Sequence, residues 1–461
     1  MINDTHYDTI TAIATPAGSG AIAIIRLSGK KSIEIADKIF TSKNKTKLTK
    51  TPANKVIFGK ITDKNNNTID EVLTTVFRAP NSYTGEDSIE IACHGSIYIQ
   101  QKIIELLLNN GAKLASPGEF TQRAFFNGKL DLSQAEAVGD LIAATTETAN
   151  RLAIQQMKGK YSETLNNLRN KLLNFVSLIE LENDFAEEDV EFADRTQLNK
   201  IINEVNSLIT NLIESFSYGN AIKNGIPVAI TGKPNAGKST LLNALINENR
   251  AIVSEIPGTT RDTIEEVLNI NGFQFRFIDT AGLRKTNDKI EKIGVKKTYE
   301  KINKSNIFIY LFDINNTATT ELQKDLNQFN TNIPKLIIAN KIDLTNKKTI
   351  NKFKEIDTEI LFISAKQNKS IDKIKNKLLE FVKDKLQNPN DIIITNARHY
   401  EALLKAQQAI TQTINSLQNN ISSDLIALDI RNAIFYIGEI TGEISNDDIL
   451  GNIFKNFCIG K

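Results

Sequence analysis

The sequence has little of what marks a secreted or membrane protein. Its 461 residues include only two cysteines, Cys93 and Cys458, which is too few for a disulfide framework and indicates a reducing compartment. It has no apolar run of about 18 residues and no signal peptide, so we expect a soluble, cytoplasmic protein without membrane insertion. Prolines number only nine, while 41% of the residues are hydrophobic. Two or three domains, each with a buried core, are therefore expected.

A surplus of charge of either sign is also absent. Lysine and arginine number 56 against 54 aspartates and glutamates, which gives a formal net charge of +2. A protein that presents a basic surface to nucleic acid usually carries a clear positive excess. Any contact with RNA is therefore expected to be a local patch, or to be left to a partner protein.

The most informative motif that is present lies in mid-chain. Residues 232–239 read Gly-Lys-Pro-Asn-Ala-Gly-Lys-Ser, between an apolar run and a segment with helical spacing, which is the strand–loop–helix context of a phosphate-binding loop. Backbone N–H groups freed by the glycines can surround nucleotide phosphates at the positive end of a helix. Lys238 would add a charge near the β- and γ-phosphates, and Ser239 a hydroxyl to Mg²⁺. The predicted nucleotide contacts in this loop are Asn235, Ala236, Gly237, Lys238, Ser239 and Thr240.

Further segments indicate that the nucleotide is GTP. Asn340-Lys341-Ile-Asp343 follows an apolar, strand-like run, and the Asp343 carboxylate can accept hydrogen bonds from N1–H and the N2 amino group of guanine. Adenine lacks both donors and would leave a buried carboxylate unpaired, at a cost of several kcal/mol. The stem of Lys341 would cover the base, and a backbone amide of Ser364-Ala365 would contact guanine O6. These motifs, in this order, predict a doubly wound α/β GTPase domain.

The hydrolytic residues differ from those of Ras-like proteins. Residues 279–282 read Asp-Thr-Ala-Gly, where Asp279 can hold Mg²⁺ through water and the Gly282 amide can sense the γ-phosphate. The next residue is Leu283, which cannot orient the attacking water as the Ras glutamine does. Either the domain is a slow, binding-only switch, or another group positions the water. The segment predicted to contact nucleotide here comprises Asp279, Thr280, Ala281 and Gly282.

A cation beside the phosphates is one solution to this missing glutamine. Thr260 is the expected Mg²⁺ ligand of switch I, and the small residues around it could hold a monovalent cation that stabilises the developing charge. Arg261 and Arg284 are alternative sources of positive charge. Glu291 is a candidate for the group that orients water, although an exposed helical glutamate is the simpler interpretation of that residue. The candidate catalytic residues are thus Lys238, Thr260 and Glu291.

These motifs resemble the TrmE–Era–EngA group of GTPases, and the flanking sequence resembles the MnmE (TrmE) family of tRNA modification GTPases within it. The resemblance extends over essentially the full length. Outside the GTPase motifs, the segments that show this resemblance are residues 14–18, 25–29, 81–87 (Asn-Ser-Tyr-Thr-Gly-Glu-Asp), 116–120, 123–132 and the terminal 457–461, Phe-Cys-Ile-Gly-Lys.

The resemblance implies an enzyme that forms a carboxymethylaminomethyl-type group on the wobble uridine of certain tRNAs. It would act with GTP, Mg²⁺, K⁺, a 5-formyl- or methylene-tetrahydrofolate donor and the FAD-dependent partner MnmG, as a homodimer within a heterotetramer. The implied folate contacts are Arg26, Glu90, Lys129 and Lys461. The implied potassium ligands are Asn235, Ser254, Ile256 and Thr259, with Mg²⁺ on Ser239 and Thr260 and with Glu291 orienting water.

The chemistry of the folate residues is reasonable but leaves alternatives open. A guanidinium such as Arg26 can bind a folate carboxylate with two hydrogen bonds, and Glu90 could accept hydrogen bonds from the pterin ring. The alternatives are a surface ion pair for Arg26 and Lys129, and an acid on a strand face for Glu90. Cys458 is either a buried structural thiol or a thiol near the folate that takes part in chemistry. A role for Lys461 requires that residues 457–461 be held down, because termini usually fray.

The chain is predicted to be a multidomain α/β protein. We expect an α+β folate-binding and dimerisation domain over 1–122, and helices over 123–220 and 384–461 that form one discontinuous all-α domain, with the GTPase domain inserted at 221–383. The alternative function is a regulatory GTPase that binds ribosomal RNA during ribosome assembly. Against it stand the lack of a Gly-x-x-Gly loop in the C-terminal part and of a second phosphate-binding loop.

Overall fold

The protein was analysed as a computed structural model, which describes residues 8–184, 195–247, 266–278, 302, 305–328, 333–383, 392–419, 421–444, 447–455 and 457–460. The chain forms two compact units. Unit 1 comprises Met1–Ile142, Ile154–Ile201 and Gln412–Lys461, and unit 2 comprises Ala143–Ala153 and Ile202–Thr411.

Unit 1 is built on a seven-stranded sheet with strand order β3-β4-β5-β6-β2-β1-β7. All neighbouring pairs are antiparallel except β1 and β7. Along β5, buried Val72, Thr74 and Val76 alternate with exposed or half-buried residues, as expected where one face of a sheet packs on a core. The strands are β1 (Ile10–Ile13), β2 (Ile22–Ser28), β3 (Phe40–Ser42), β4 (Lys55–Thr62), β5 (Thr68–Phe77), β6 (Ser88–His94) and β7 (Lys113–Leu114).

Helices cover the buried face of this sheet and continue beyond it. Residues of α1 and α2 share one hydrophobic core with β2, β5 and β6. In α6, Leu165, Leu172 and Ile179 are fully buried, so their spacing places them on one face of a helix within the region predicted to be helical. The helices with residues in unit 1 are α1 (Ser32–Ile39), α2 (Ile97–Asn109), α3 (Glu119–Phe126), α4 (Leu132–Ala143), α5 (Glu147–Met157), α6 (Lys160–Asp184), α7 (Arg195–Asn224), α12 (Ala397–Gln418), α13 (Ser423–Thr441) and α14 (Asp447–Lys455).

Unit 2 contains a six-stranded sheet with strand order β13-β12-β11-β8-β10-β9. Only the β9–β10 pair is antiparallel. From β8 the chain proceeds to β9 and β10 on one side and then to β11 on the other, so β8 lies at the point where strand order reverses, which is where doubly wound sheets bind ligands. The strands are β8 (Ile226–Thr231), β9 (Glu266–Ile270), β10 (Phe273–Phe277), β11 (Ile307–Asp313), β12 (Lys335–Asn340) and β13 (Ile360–Phe362).

The core of unit 2 explains its sequence pattern. Every residue of β11 is buried, because helices cover both faces of a parallel sheet and a continuous apolar run results. The helices of this unit include α8 (Lys238–Asn247), α9 (Thr319–Gln328), α10 (Lys347–Lys354) and α11 (Ile371–Lys383). Together with unit 1, this architecture confirms the predicted multidomain α/β class. No helix in the described ranges is long and apolar enough to span a membrane.

The first half of α5 also belongs to unit 2. Leu152 is in the same hydrophobic core as β8, β9 and β10, and a Cβ on Gly272 in the β9–β10 turn would lie 3.3 Å from Thr148 Oγ1. No motif in the sequence indicates this packing, since residues 147–153 are more than 70 positions before β8.

Candidate functional site

The loop between β8 and α8 requires glycine at both of its ends. Gly232 and Gly237 have φ angles of +136° and +97°, in the region that glycine adopts without a steric penalty. A Cβ would lie 1.9 Å from the Leu311 carbonyl oxygen at Gly232, and 2.3 Å from Asn340 Nδ2 at Gly237. Asn235 also has a positive φ, 61°, which asparagine tolerates better than most residues. The backbone path of a phosphate-binding loop is therefore built into these positions.

Lys238 is the first residue of α8 and bends back over this loop. Its Nζ donates to the carbonyl oxygens of Gly232 at 2.5 Å and Lys233 at 2.8 Å. The ammonium is thus held across the mouth of the loop, at the positively polarised start of a helix. The predicted contacts Asn235, Ala236, Gly237, Lys238, Ser239 and Thr240 all lie in this loop and the first turn of α8.

Asn340, at the end of β12, connects three loops. It is 2% exposed, and its Nδ2 donates to the Ala236 carbonyl at 2.9 Å. Its Oδ1 accepts from the backbone N–H groups of Lys341 at 2.8 Å and Ala365 at 3.0 Å. The side chain therefore links the phosphate-binding loop to both predicted base-binding segments, and acts as a positioning residue.

Asp343 is oriented by a buried hydroxyl. Ser364 has no exposed surface, and its Oγ donates to Asp343 Oδ1 at 2.6 Å while accepting from the Gln367 N–H at 3.2 Å. Asp343 Oδ2 has no hydrogen bond to any residue that the structure describes. One carboxylate oxygen is thus fixed and the other is available for N–H donors, which is what reading the edge of guanine requires.

Asp313 ends β11 and is 8% exposed, and it was not predicted from the sequence. Its Oδ2 accepts a hydrogen bond from Lys341 Nζ at 2.8 Å, and Asn315 Nδ2 donates to the Lys341 carbonyl at 3.1 Å. Lys341 itself has a left-handed φ of 66°. The position of Asp313 at the carboxyl end of a buried parallel strand, between β8 and β12, was the signal that could have predicted it as a site residue.

The ionisation of Asp313 follows from these contacts. Burial on its own would raise the pKa of the Asp313 carboxyl, but hydrogen bonds from Lys341, Asn315 and Asn316 outweigh burial and lower the pKa below its usual range. Asp313 therefore stays charged at neutral pH and holds the Lys341 ammonium.

Several predicted residues lie outside the described ranges. They are the switch residues Ser254, Ile256, Thr259, Thr260, Asp279, Thr280, Ala281, Gly282 and Glu291, the alternatives Arg261 and Arg284, and the terminal Lys461. For Mg²⁺ and K⁺, the structure describes one predicted ligand each, Ser239 and Asn235, so both metal sites stay predictions.

In unit 1, the predicted folate residues Arg26 and Glu90 face each other on β2 and β6. Arg26 Nε and Nη2 both donate to Glu90 Oε1, at 2.9 and 2.8 Å. The guanidinium Cζ also lies 5.6 Å from the centre of the Tyr83 ring and 5.7 Å from that of Phe120, within the range of cation–π attraction. The two side chains are 19% and 28% exposed, so this ion pair is half-buried and held in a defined position.

The C-terminal segment reaches this pair. Arg26 Nη1 donates to the Gly460 carbonyl at 3.4 Å, and a Cβ on Gly460 would lie 2.3 Å from the Ile13 carbonyl oxygen. The Phe457 ring packs against Gly139, where a Cβ would be 3.3 Å away. Residues 457–460 are therefore held against the rest of unit 1, as a role for Lys461 requires.

The remaining predicted residues of unit 1, Lys129 and Cys458, are both exposed. Lys129 is exposed, and its Cγ would lie 3.2 Å from a Cβ on Gly85, in the same loop as Tyr83. Cys458 is exposed, so its interpretation as a buried thiol is wrong, because its backbone contacts hold the segment and leave the side chain outside. Among the described residues no cluster of side chains could hold a metal ion.

Comparison with known proteins decides the family. Residues 9–129 match the family model described as GTP-binding protein TrmE N-terminus, and residues 132–458 match the MnmE helical domain. The chain is 53% identical to the tRNA modification GTPase MnmE of Flavobacterium johnsoniae, with 100% of both chains covered. It belongs to the MnmE family. The relative from Flavobacterium psychrophilum is 54% identical, covering 99% of this chain and all of that protein, and that from Bacteroides thetaiotaomicron is 49% identical with the same coverage.

Membership of the MnmE family confirms the resemblance predicted from the sequence. The chain is a GTPase of tRNA modification, and this favours the first predicted function over the ribosome-assembly alternative. The loops of unit 2 that contain Asn340, Asp343 and Ser364 are connected by hydrogen bonds that suit such a GTPase.

Proposed function

We propose that this GTPase, with an FAD-dependent MnmG partner and a folate one-carbon donor, forms the carboxymethylaminomethyl-type group on the wobble uridine of certain tRNAs. The observation that carries the proposal is the presence, in one full-length member of the family, of two separate sites. One combines the glycine loop before α8 with an Asp343 carboxylate that Ser364 orients, and the other places a half-buried Arg–Glu pair beside two aromatic rings.

In the GTP site, Lys238 places a positive charge at the mouth of the phosphate-binding loop, and Asp343 reads the guanine edge. Ser239 and Thr260 are assigned to Mg²⁺, whose preference for oxygen ligands fits their hydroxyls. Asn235, Ser254, Ile256 and Thr259 are assigned to K⁺, and Glu291 to the attacking water. Bound there, the two cations would neutralise charge that develops on the phosphates.

In the folate site, the contact between Arg26 and Glu90 changes the roles that their chemistry suggested. The guanidinium has five N–H donors, and three are engaged by Glu90 and Gly460. Two remain for a ligand oxygen, while Glu90 Oε2 has no hydrogen bond to described residues and can accept a ligand N–H. Because the two groups adjoin, they suit a pterin amide, whose C=O and N–H are also adjacent.

The other predicted folate contacts are assigned to the remainder of that ligand. Lys129 and Lys461 supply the positive charge that the glutamate carboxylates of folate require. Cys458 is exposed in the same terminal segment, which leaves it accessible to a bound one-carbon donor. We further propose a homodimer formed through the N-terminal domain, a heterotetramer with MnmG, and a cytoplasmic location.

Analysis of modified nucleosides tests the proposed function. The gene is deleted, total tRNA is digested, and the wobble uridines are quantified by mass spectrometry. We expect the modified uridine to disappear and to return when the wild-type chain is supplied. Wobble uridines that are unchanged in the deletion strain would refute the function.

Titration with 5-formyl-tetrahydrofolate tests the second site. We expect Arg26→Ala to reduce affinity at least tenfold, because two ligand hydrogen bonds and the orientation of Glu90 are lost together. Arg151→Ala removes an equal charge from an exposed helical position and should bind as the wild type does. Equal affinity of the Arg26 variant would remove the site from the proposal.

A further inference from the structure

One edge of unit 1 has a strong excess of positive charge, although the net charge of the whole chain is close to zero. Residues 30–64 contain ten lysines and three carboxylates, a formal net charge of +7 within a chain whose total is +2. We call the ten lysines within this range the lysine edge. All ten are exposed. The near-neutral total thus conceals a local basic surface, with a compensating net charge of −5 over the rest of the chain.

The fold places these lysines together. The range begins just before α1, continues through β3 and the segment that follows it, and ends after β4. β3 is the outermost strand of the sheet and β4 is its only strand neighbour. The eight residues of β4 extend for about 25 Å. Because α1 leads directly into β3, the lysines follow one border of the sheet and the turns at its ends.

Two of the three carboxylates within the range are engaged in local turns. Asp37 accepts hydrogen bonds from the Leu48 N–H at 2.7 Å and from Thr49 Oγ1 at 3.3 Å, and so holds the turn that follows β3. Asp63 accepts from the N–H groups of Asn65 and Asn67, both at 2.8 Å, within its own turn. Both carboxylates bond to backbone and side-chain groups of their own turns, and neither forms an ion pair with a described lysine of this edge.

The lysines themselves are mostly free. Apart from Lys30, none of the ten has a hydrogen bond or ion pair from its side chain to any residue that the structure describes. An exposed lysine without a protein partner gives up little when it binds an anion, and its ammonium acts as a mobile point charge. A row of such charges suits a ligand with regularly spaced negative groups and no fixed base sequence.

We propose that the lysine edge binds the phosphate backbone of the tRNA substrate. The inference rests on the proposed function, which supplies RNA as the polyanion. Lysine contacts to phosphates position an RNA without reading its sequence, and an edge of about 25 Å accommodates several consecutive phosphates. Residues that direct the wobble uridine to the chemistry are then separate from those that provide affinity.

Binding of an unmodified tRNA transcript to the full-length protein tests this surface. The variant K43Q/K45Q/K47Q removes three charges from the segment after β3. The control K347Q/K348Q/K352Q removes three exposed lysines from α10 in unit 2. We expect the first variant to bind tRNA about tenfold more weakly near 0.1 M salt, and the slope of log K against log salt to fall by about 2, for three lost phosphate contacts.

The outcomes separate this inference from the proposed function. An equal loss in both variants would indicate diffuse attraction to the whole surface, and no loss in the first would show that the lysine edge does not touch tRNA. A loss of binding to anionic vesicles with tRNA affinity unchanged would assign the edge to a membrane surface and overturn the proposal. GTP turnover of both variants should equal that of the wild type. The deletion strain tests the proposed function independently. If the modified uridine is absent from that strain and present in the wild type, the function is supported whatever the lysine variants show.

Discussion

At the scale of single residues, the side chains proposed to bind ligands are held in place by hydrogen bonds to other side chains. Ser364 orients Asp343, Asp313 holds Lys341, and Glu90 holds Arg26. The motifs predicted Asp343 as the residue for guanine, because the donors on the edge of guanine require a carboxylate. Ser364 and Glu90 were predicted only as ligand contacts and Asp313 was not predicted at all, because serine, aspartate and glutamate occur throughout the sequence and no local pattern marks a supporting role.

Replacing Asp313 tests its role as a positioning residue. We expect Asp313→Asn to weaken GDP and GTP binding equally, by about tenfold, because the charge-assisted hydrogen bond to Lys341 is lost. Nucleotide affinities measured with fluorescent analogues would show this. The conservative Asp313→Glu should recover part of the affinity. An unchanged affinity of Asp313→Asn, or a GTP-specific loss, would contradict the role, since Lys341 is placed at the base and not at the γ-phosphate.

The two cysteines should differ in reactivity. Burial, with a smaller effect of the charge of Asp70, raises the pKa of the Cys93 thiol to about 11, whereas Cys458 is exposed. At pH 8 a thiol reagent should therefore modify Cys458 rapidly and Cys93 slowly, since the thiolate is the reactive form. The rapid phase should vanish in Cys458→Ser. Two thiols that react rapidly at pH 8 would contradict this difference.

The raised pKa of Cys93 also makes stability depend on pH. Between about pH 9 and 11 the folded state retains the Cys93 proton that the unfolded chain loses, so the free energy of unfolding should fall as pH rises.

At the scale of elements, apolar runs that end in polar motifs predicted the strands well. The apolar runs before the phosphate-binding loop and before Asn340 correspond to β8 and β12. Continuous apolar runs are typical of such strands, because the strands of a parallel sheet are buried on both faces. The attachment of α5 to the β9–β10 turn had no such signal, because a Leu152 buried against a sheet and one buried against helices have the same pattern.

The loop between β8 and α8 gives a prediction about an element. Gly237→Ala places a Cβ against Asn340 Nδ2 in a backbone conformation that alanine avoids, so GTP and GDP affinity should fall at least a hundredfold. Isothermal titration would measure it. As a control, Gly451→Ala in α14 meets no atom within 4 Å and should stabilise the protein by about 0.5–1 kcal/mol in chemical denaturation. Normal nucleotide binding by Gly237→Ala would show that the loop has another path.

At the scale of the whole molecule, sequence resemblance predicted the family and the architecture, and the comparisons confirmed both. The division between the units is a different matter. Residues 143–153 share a compact unit with β8–β13 although they precede β8 by more than 70 residues. The predicted domain limits at 122, 220 and 383 remain predictions, to be tested by limited proteolysis.

Dependence on the monovalent cation is a property of the whole GTPase. With Asn235 among the proposed ligands, GTP turnover should be at least tenfold faster in potassium than in sodium at equal ionic strength. Asn235→Ala should lose most of that difference while it retains GDP binding, because the charge beside the phosphates matters most as the transition state develops. Equal rates in the two salts, with an equally active Asn235→Ala, would refute the potassium site and favour Arg261 or Arg284.

The sequence by itself determined the nucleotide, the family and the order of the elements. These depend on motifs whose residues are neighbours in the chain, such as the eight residues of the phosphate-binding loop. Only the tertiary structure decided which side chains support them. Asp313 and Lys341 are 28 residues apart, Arg26 and Glu90 are 64 apart, and Arg26 and Gly460 are 434 apart. The first two contacts form because neighbouring strands of one sheet bring distant segments together, and the third because the C-terminal segment packs against the sheet of unit 1. Local sequence patterns carry no record of either arrangement.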